Sequence, residues 1–543
     1  MEKRAILAVV LSILVVFAFQ AYLTPRNRSV STPPKVQERT VQSPENKGTT
    51  IIPGLPADVV KPTAQAEPQS ASSETGRDIL IENKVFKAVF STRGAVLKSF
   101  VLKNYFDKLG KDARPIEMVT GRQWGTYPLG VTLIGNESVG TQDLLFQADR
   151  ESLDLSSASE PDQVVFSAVV GNGAQVRKIL TFVPDRYTFT LDIEIEGSPA
   201  ASDYTGAAVG WVRILDLEKD TSTKLGFTGP AAWAENKLDE VSLKDLKNEN
   251  KVFARNVSWV GYEEKYFLAA FLASSEADLF TASMARPTED TVVISAIEQK
   301  SEAESEGNRI FSSSFFCGPK DIDILSALGM HLEKAINFGM FDIVAKPLLY
   351  ALKTLKELTH NYGVAIIVIT IILKVVFFPL THKSYTSMKA LKDLQPKMEA
   401  LKKKYKDDRE KLNQETLSLY RSHKVNPLGG CLPLLVQFPI FIAFYWVLMG
   451  SIELRHSPFI FWIKDLSAHD PYYITPILMG ASMFVTQKMT PTSADPMQAK
   501  LMLAMPIVFT VMFLNFPSGL VIYWLVNNIL QIFQQIYIDK RVS

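Results

Sequence analysis

The chain has 543 residues and a net charge of +1, from 58 Lys and Arg against 57 Asp and Glu. That length predicts several domains, and that balance excludes a nucleic-acid binder working through bulk basicity. The two cysteines, Cys317 and Cys431, fall in different regions, so no intramolecular disulfide framework is expected.

Lys3 and Arg4 precede an apolar run to Leu23, enough to approach a bilayer crossing. No A-x-A cleavage site follows, so residues 1–23 read as an uncleaved signal anchor with its basic end in the cytoplasm; a cleaved signal peptide is the alternative. Residues 24–77 hold eight prolines and no aromatic residue. Such a segment buries too little apolar surface to offset its ordering entropy and reads as a disordered linker outside the cytoplasm.

From residue 78 to residue 325 the pattern turns to β. In "YTFTLDIEIEG", Tyr187, Phe189, Leu191, Ile193 and Ile195 point one way, while Thr188, Thr190, Asp192, Glu194 and Glu196 point the other. "KVFKAVFST", "VVFSAVVG" and "TVVISAIE" are shorter runs of the same kind, separated by Gly, Asn, Asp and Pro. They predict one β-sandwich domain, lying outside the cytoplasm because it follows the signal anchor. Residues 336–360 predict an amphipathic helix on the membrane surface, starting at Pro347; a helix packed on the β domain is the alternative.

Five further membrane segments are predicted at 361–381, 431–450, 472–489, 501–516 and 518–537. Residues 382–427 carry twelve Lys or Arg against six Asp or Glu, whereas 451–471 carry only Arg455 and Lys464. With the signal anchor, this gives a bundle of six transmembrane helices, N-in and C-in. In the basic loop, Leu391, Leu394, Met398, Leu401 and Tyr405 step as a heptad seam, and Leu412, Thr416 and Leu419 form a second seam. A helical hairpin turning near Lys406 is expected.

The six histidines form no ligand pair, and no nucleotide or redox motif is present in the sequence, so no catalytic residue, cofactor or metal is expected. The membrane half is more informative. "IIVITIILKVVFFPLTHKS" places Lys374 inside a span, where a charge costs roughly 2.5–3.5 kcal/mol on insertion scales. Thr370 shares its helix face. Gln437 interrupts another span. In the last span Trp524, Asn528, Gln531 and Gln535 form one stripe, with Tyr523, Asn527 and Gln534 beside it. Each amide alone reads equally as glue between helices, and Lys374 alone as a side chain reaching for the headgroups. Together they point to a shared polar cavity open to the cytoplasm.

The segments "KVNPLGGCLPLLVQFPIF", "DPYYITPILMGASMF", "DPMQAKLMLAMPIVFTVMF" and "FPSGLVIYW" strongly resemble the YidC membrane protein insertase family of Gram-negative bacteria. "LTHKSYTSMKALKDLQPKMEAL" resembles the start of that family's cytoplasmic hairpin. The resemblance implies an all-β periplasmic supersandwich domain before a five-helix core over 361–541. It implies a non-enzymatic insertase and chaperone acting alone or with the Sec translocon, through a hydrophilic groove with one basic residue. Lys374 holds that position where many relatives carry Arg. The implied groove set is Lys374, Thr370, Gln437, Tyr523, Trp524, Asn528 and Gln531. The implied partners are nascent membrane proteins, membrane lipids, and the ribosome or signal recognition particle receptor at 382–427. Two rivals remain on sequence grounds: a solute transporter or channel, and a membrane-anchored periplasmic enzyme acting on sugars.

Overall fold

The computed structural model describes residues 76–542, apart from 122–124, 172, 198–199, 217–226, 248, 276–278, 300–308, 407, 424–431 and 490–495. The expected signal anchor and nearly all of the expected linker lie outside the described residues.

Residues 78–319 form two sheets. Five strands align in the order Pro115–Glu117, Leu97–Phe106, Phe86–Ser91, Asp78–Glu82 and Ser152–Asp154. The second, fourteen-stranded sheet runs through Lys251–Glu263, Phe267–Leu272, Arg309–Pro319, Thr188–Glu196, Gln175–Phe182 and Asp162–Val169. The Thr188–Glu196 strand keeps its alternation: Phe189, Leu191, Ile193 and Ile195 are buried, and the residues between them are partly exposed. It pairs on both edges, with Gln175–Phe182 and Arg309–Pro319. Phe267–Leu272, "FLAAFL", is buried at every position, as a strand covered on both faces must be. The sheets meet through aromatic rings. Phe90 of the smaller sheet lies 6.1 Å from Phe166 and 6.3 Å from both Phe182 and Phe189 of the larger. Each such fully buried ring contributes about 1.5–3 kcal/mol.

One core position breaks the apolar rule. Lys178 sits on the inward face of its strand between Val176 and Leu180 and is fully buried. Its Nζ donates to the carbonyls of Ala95 and Leu129, both at 2.6 Å. Both acceptors are non-glycine residues in the left-handed region, at φ 46° and 64°. One ammonium thus holds two strained turns against the sheet core. Burial lowers its pKa to about 7.

The chain leaves the β region through α1 (Ile322–Leu328), capped by the Asp321 carboxylate, which accepts from the amides of Asp323 and Ile324. Helix α2 (Asp342–Thr359) follows and buries Ala345, Leu348, Leu349 and Leu352. It starts one turn before Pro347, which therefore lies inside the helix rather than at its start as expected. The absent proline N–H leaves the Ile343 carbonyl without its usual helical donor. At His360, φ 56°, the chain turns, and α3 (Tyr362–Val376) leaves at 119° to α2. Asn361 pins the corner. Its Oδ1 accepts from the Gly363 and Val364 amides, and its Nδ2 donates to Phe459 O at 2.9 Å.

Helix α4 (Phe378–Asp393) continues α3 beyond Phe377, and α5 (Gln395–Lys404) and α6 (Arg409–Ser422) form a hairpin. Pro396 stands in the first turn of α5, and Asp408 caps α6 by accepting from Lys411 N. Met398 of the expected seam meets α6, its Sδ accepting from Tyr420 at 3.2 Å. The remaining helices are α7 (Leu432–Gly450), α8 (Ile474–Met489), α9 (Pro496–Phe513) and α10 (Ser518–Val542). Among the described residues no single helix is long and apolar enough to cross a membrane by itself. The bent pair Gly339–Thr359 and Tyr362–Val376 meets that test together. Many outward side chains on these helices are nonetheless apolar and exposed, among them Val375, Val376, Ile477, Ile507, Val511 and Phe533. Such a surface marks contact with lipid or a partner rather than water.

The β region and the helices are joined by charge. Lys353 of α2 bonds Asp321 at 3.1 Å and Asp323 at 2.5 Å, and stands 3.6 Å from Glu453 in the loop after α7. Arg455 donates to the carbonyls of Phe106 and Asp107, and Tyr266 donates to Met449 O at 3.1 Å. The Glu453 side chain is 4% exposed, and its Oε2 has no hydrogen-bond partner among the described residues. Burial, then the charge of Asp321, pushes its carboxyl up to about 7 despite Lys353.

A raised carboxyl pKa means that, between its ordinary 4.5 and about 7, the folded protein holds a proton the unfolded chain has lost. The associated stability is complete below 4.5 and is lost as pH rises through 7. The melting temperature of the wild type should therefore fall more steeply between pH 5 and 8 than that of Glu453→Gln, by a part worth on the order of 1–3 kcal/mol. Parallel pH profiles for the two proteins would contradict this assignment.

Candidate functional site

The local sequence of α3 sets the site. Asn361 fixes where the helix begins, and the run that follows is apolar on every face except at Thr370 and Lys374, four residues apart. Thr370 is fully buried and donates back to Ile366 O at 2.6 Å, which leaves its oxygen free to accept. Thr381 in α4 makes the same local bond to Phe377 O at 3.0 Å. Lys374 lies between these two hydroxyls along the chain. It is half-buried, and no hydrogen bond or ion pair ties its Nζ to any described residue.

These side chains open into one small cavity of about 40 Å³, enough for water. Its lining comes from α3 (Thr370, Leu373, Lys374), the Phe377 joint, α4 (Leu380, Thr381), α7 (Gln437, Ile440) and α10 (Tyr523, Asn527). Tyr523 is seated by stacking on Phe444 of α7, with centroids 4.4 Å apart. The cavity thus combines one cation, two hydroxyls, two amides and a phenol with apolar walls. Such a lining can hold water and attract negative charge beside apolar walls. Among the described residues no group of three or more His, Cys, Asp or Glu is placed to hold a metal.

Of the residues expected in the groove, Lys374, Thr370, Gln437 and Tyr523 line this cavity, whereas Trp524, Asn528 and Gln531 do not. Trp524 packs among Phe441, Phe509 and Phe513, with centroids 4.7, 6.1 and 5.5 Å away. Asn528 donates to Ser482 Oγ of α8 at 3.1 Å, and Gln535 donates to Met489 O at 2.8 Å. Gln531 is half-buried on the same stripe. That stripe joins α10 to α8, and Gly480 makes the next contact possible: a Cβ there would collide with Thr510 of α9. Asn527 and Thr381 line the cavity but were outside the expected set. Asn527 had a legible signal, because it stands one helical turn after Tyr523 on the same face.

Two family models match the chain, the 60Kd inner membrane protein over residues 354–543 and the YidC periplasmic domain over residues 78–351. Curated relatives match over their whole length. The membrane protein insertase YidC of Syntrophus aciditrophicus is 41% identical, with 100% of each chain covered, and that of Pelobacter propionicus is 43% identical, also with 100% of each covered. A crystal structure of an active YidC insertase aligns at 21% identity over 84% of this chain and 93% of that one, with a TM-score of 0.37. The chain belongs to the YidC family of membrane protein insertases. It is an inner-membrane protein with a periplasmic β-rich domain, and its family works without enzymatic catalysis.

The two faces of α10 should separate on substitution. Asn528→Ala removes an interhelical bond and should lower bundle stability in a denaturing-detergent titration by about 0.6–2 kcal/mol, leaving insertion per folded molecule unchanged. Asn527→Ala should do the reverse, with near-normal stability and slower insertion. Unchanged stability for Asn528→Ala would contradict a structural role for that stripe.

Proposed function

We propose that the cavity around Lys374 is the client groove of this insertase, within a six-span bundle oriented N-in and C-in. The observation that carries the reading is the convergence of Lys374, Thr370, Gln437, Tyr523 and Asn527 from three apolar helices on one cavity. Lys374 stands in the last turn of α3, next to the helices that lead into the basic hairpin. On this topology that end of the groove opens to the cytoplasm.

A nascent membrane protein enters from that side with its polar or acidic flank first. Water in the groove and the Lys374 charge lower the cost of moving that flank part of the way across. The apolar segment then slides into lipid, driven by transfer out of water. No nucleotide is required, because hydrophobic transfer supplies the free energy. The α5–α6 hairpin receives the client: Lys402, Lys403 and Lys404 close α5 and suit an acidic surface on a ribosome or a signal recognition particle receptor. The Sec translocon is the companion for larger clients. Trp524 and Gln531 then support the groove wall from behind, and Asn528 holds α10 to α8.

A lysine that merely reaches the headgroups can be replaced by Leu without harm; a groove lysine cannot. Lys374→Arg should retain function because charge is kept. Lys374→Ala should slow clients with acidic translocated segments several-fold. Lys374→Glu should slow them by about tenfold or more, the equivalent of ~1.4 kcal/mol in the barrier. The check is insertion rate into proteoliposomes for paired clients, one acidic and one neutralised. Equal effects on both clients would remove the electrostatic role.

A further inference from the structure

Where the β domain meets the end of α7 there is a second, small cleft whose inner space is about 40 Å³. Glu263, Glu240, Lys265, Lys320, Asn337 and Trp446 are among its lining. Glu263 is the unusual member. Its side chain is 1% exposed, and its Oε2 receives the Lys320 ammonium at 2.8 Å. Its Oε1 is buried and has no hydrogen-bond partner among the described residues, although the residue borders an open cleft. A buried carboxylate oxygen with no donor is costly and calls for one. Burial in the first place pushes this carboxyl up to about 7, Lys320 opposes the rise, and the charge of Glu240 adds to it. Glu240 itself accepts from Asn337 Nδ2 at 3.1 Å.

Two carboxylates and two ammoniums meet here, but they do not pair off completely. Lys320 serves Glu263. Lys265 is half-buried over the Tyr266 ring, 4.7 Å from its centroid, with no carboxylate partner among the described residues. What remains unmatched is an acceptor deep in the cleft and a cation closer to the surface. A ligand that satisfies both carries N–H donors at one end and an anionic group, such as a phosphate, at the other. One wall of the cleft is the last turn of α7, with Trp446 half-buried there. Aromatic side chains of this kind sit at headgroup level in membranes.

We propose that this cleft binds the phosphoethanolamine headgroup of a membrane phospholipid, its ammonium on Glu263 and Glu240 and its phosphate on Lys265. The inference rests on the placement, proposed above, of this end of α7 at the periplasmic membrane surface. A choline headgroup fits poorly, because a trimethylammonium has no N–H to give Glu263. Bound lipid would tie the β domain to the outer leaflet beside the Lys353–Glu453 junction.

The test is native mass spectrometry of the full chain in detergent, with equal concentrations of phosphatidylethanolamine and phosphatidylcholine of the same acyl chains. The wild type should retain phosphatidylethanolamine about tenfold over phosphatidylcholine, the scale of one charge-assisted hydrogen bond. Glu263→Gln should bring that ratio near one, and Glu240→Gln, at a more exposed position that leaves the buried pair intact, should lower it. Lys265→Met should weaken both lipids together, since both carry the phosphate. Equal retention of the two lipids by the wild type, or an unchanged ratio in both Gln variants, overturns the proposal. Displacement of the lipid by soluble glycerophosphoethanolamine at equal concentration overturns the lipid as its source. Outside labelling of Lys464→Cys in spheroplasts reads the membrane placement separately, so a failed topology and a failed site give different results.

Discussion

Lys374 carries a charge into a bundle whose outward side chains are largely apolar, and a charge there is tolerated only where water, a carbonyl or a counter-ion meets it. No described residue meets its Nζ, while the neighbouring threonines turn their hydroxyl protons back onto their own helices. The remaining solution is a cavity with room for water. The convergence of Gln437, Tyr523 and Asn527 on that cavity follows from the same constraint, since polar groups among apolar helices need one another or water as partners.

That cavity depends on geometry set elsewhere. Asn361 starts α3 and, through Phe459, fixes it to the loop after α7, so the angle between α2 and α3 is held from two sides. The Lys353 cluster, Arg455 and Tyr266 join the β domain to the same loop. The domain is therefore fastened to the helices at the end of α3 opposite Lys374. Within the bundle, the Asn528–Ser482 bond and the close approach at Gly480 set the spacing of α8, α9 and α10.

Much of this was legible in the sequence. The Thr188–Glu196 strand announced its buried face through strict alternation, and the helical hairpin announced itself through the seam that includes Met398. Lys374 was conspicuous because a charge in an apolar run has few explanations. The rotation of α10 was not legible, because amides occur on both of its faces. Helical spacing shows that Trp524, Asn528 and Gln531 share a stripe, but not whether the stripe faces a cavity or a helix. Partners on α8 and α9 decide that, and they are distant in sequence. Lys178 escaped notice for a related reason: its strand, Gln175–Phe182, alternates with a lysine in a buried slot, and only the two carbonyls beneath it explain the exception. Pro347 was read as a helix start because proline favours first turns, yet the apolar face of α2 extends a turn before it, and packing outweighed one lost hydrogen bond.

The central claim is that a client passes beside Lys374 through the cavity lined by Asn527. A photoreactive amino acid placed singly at Asn527, Gln531 or Phe533 of α10, with a ribosome-stalled membrane protein as client, tests it most directly. Strong crosslinks from Asn527, weak ones from Gln531 and none from Phe533, whose side chain is exposed on another face, are the predicted result. Crosslinks from Phe533 without any from Asn527 would place the client on the outer face of the bundle and contradict the account.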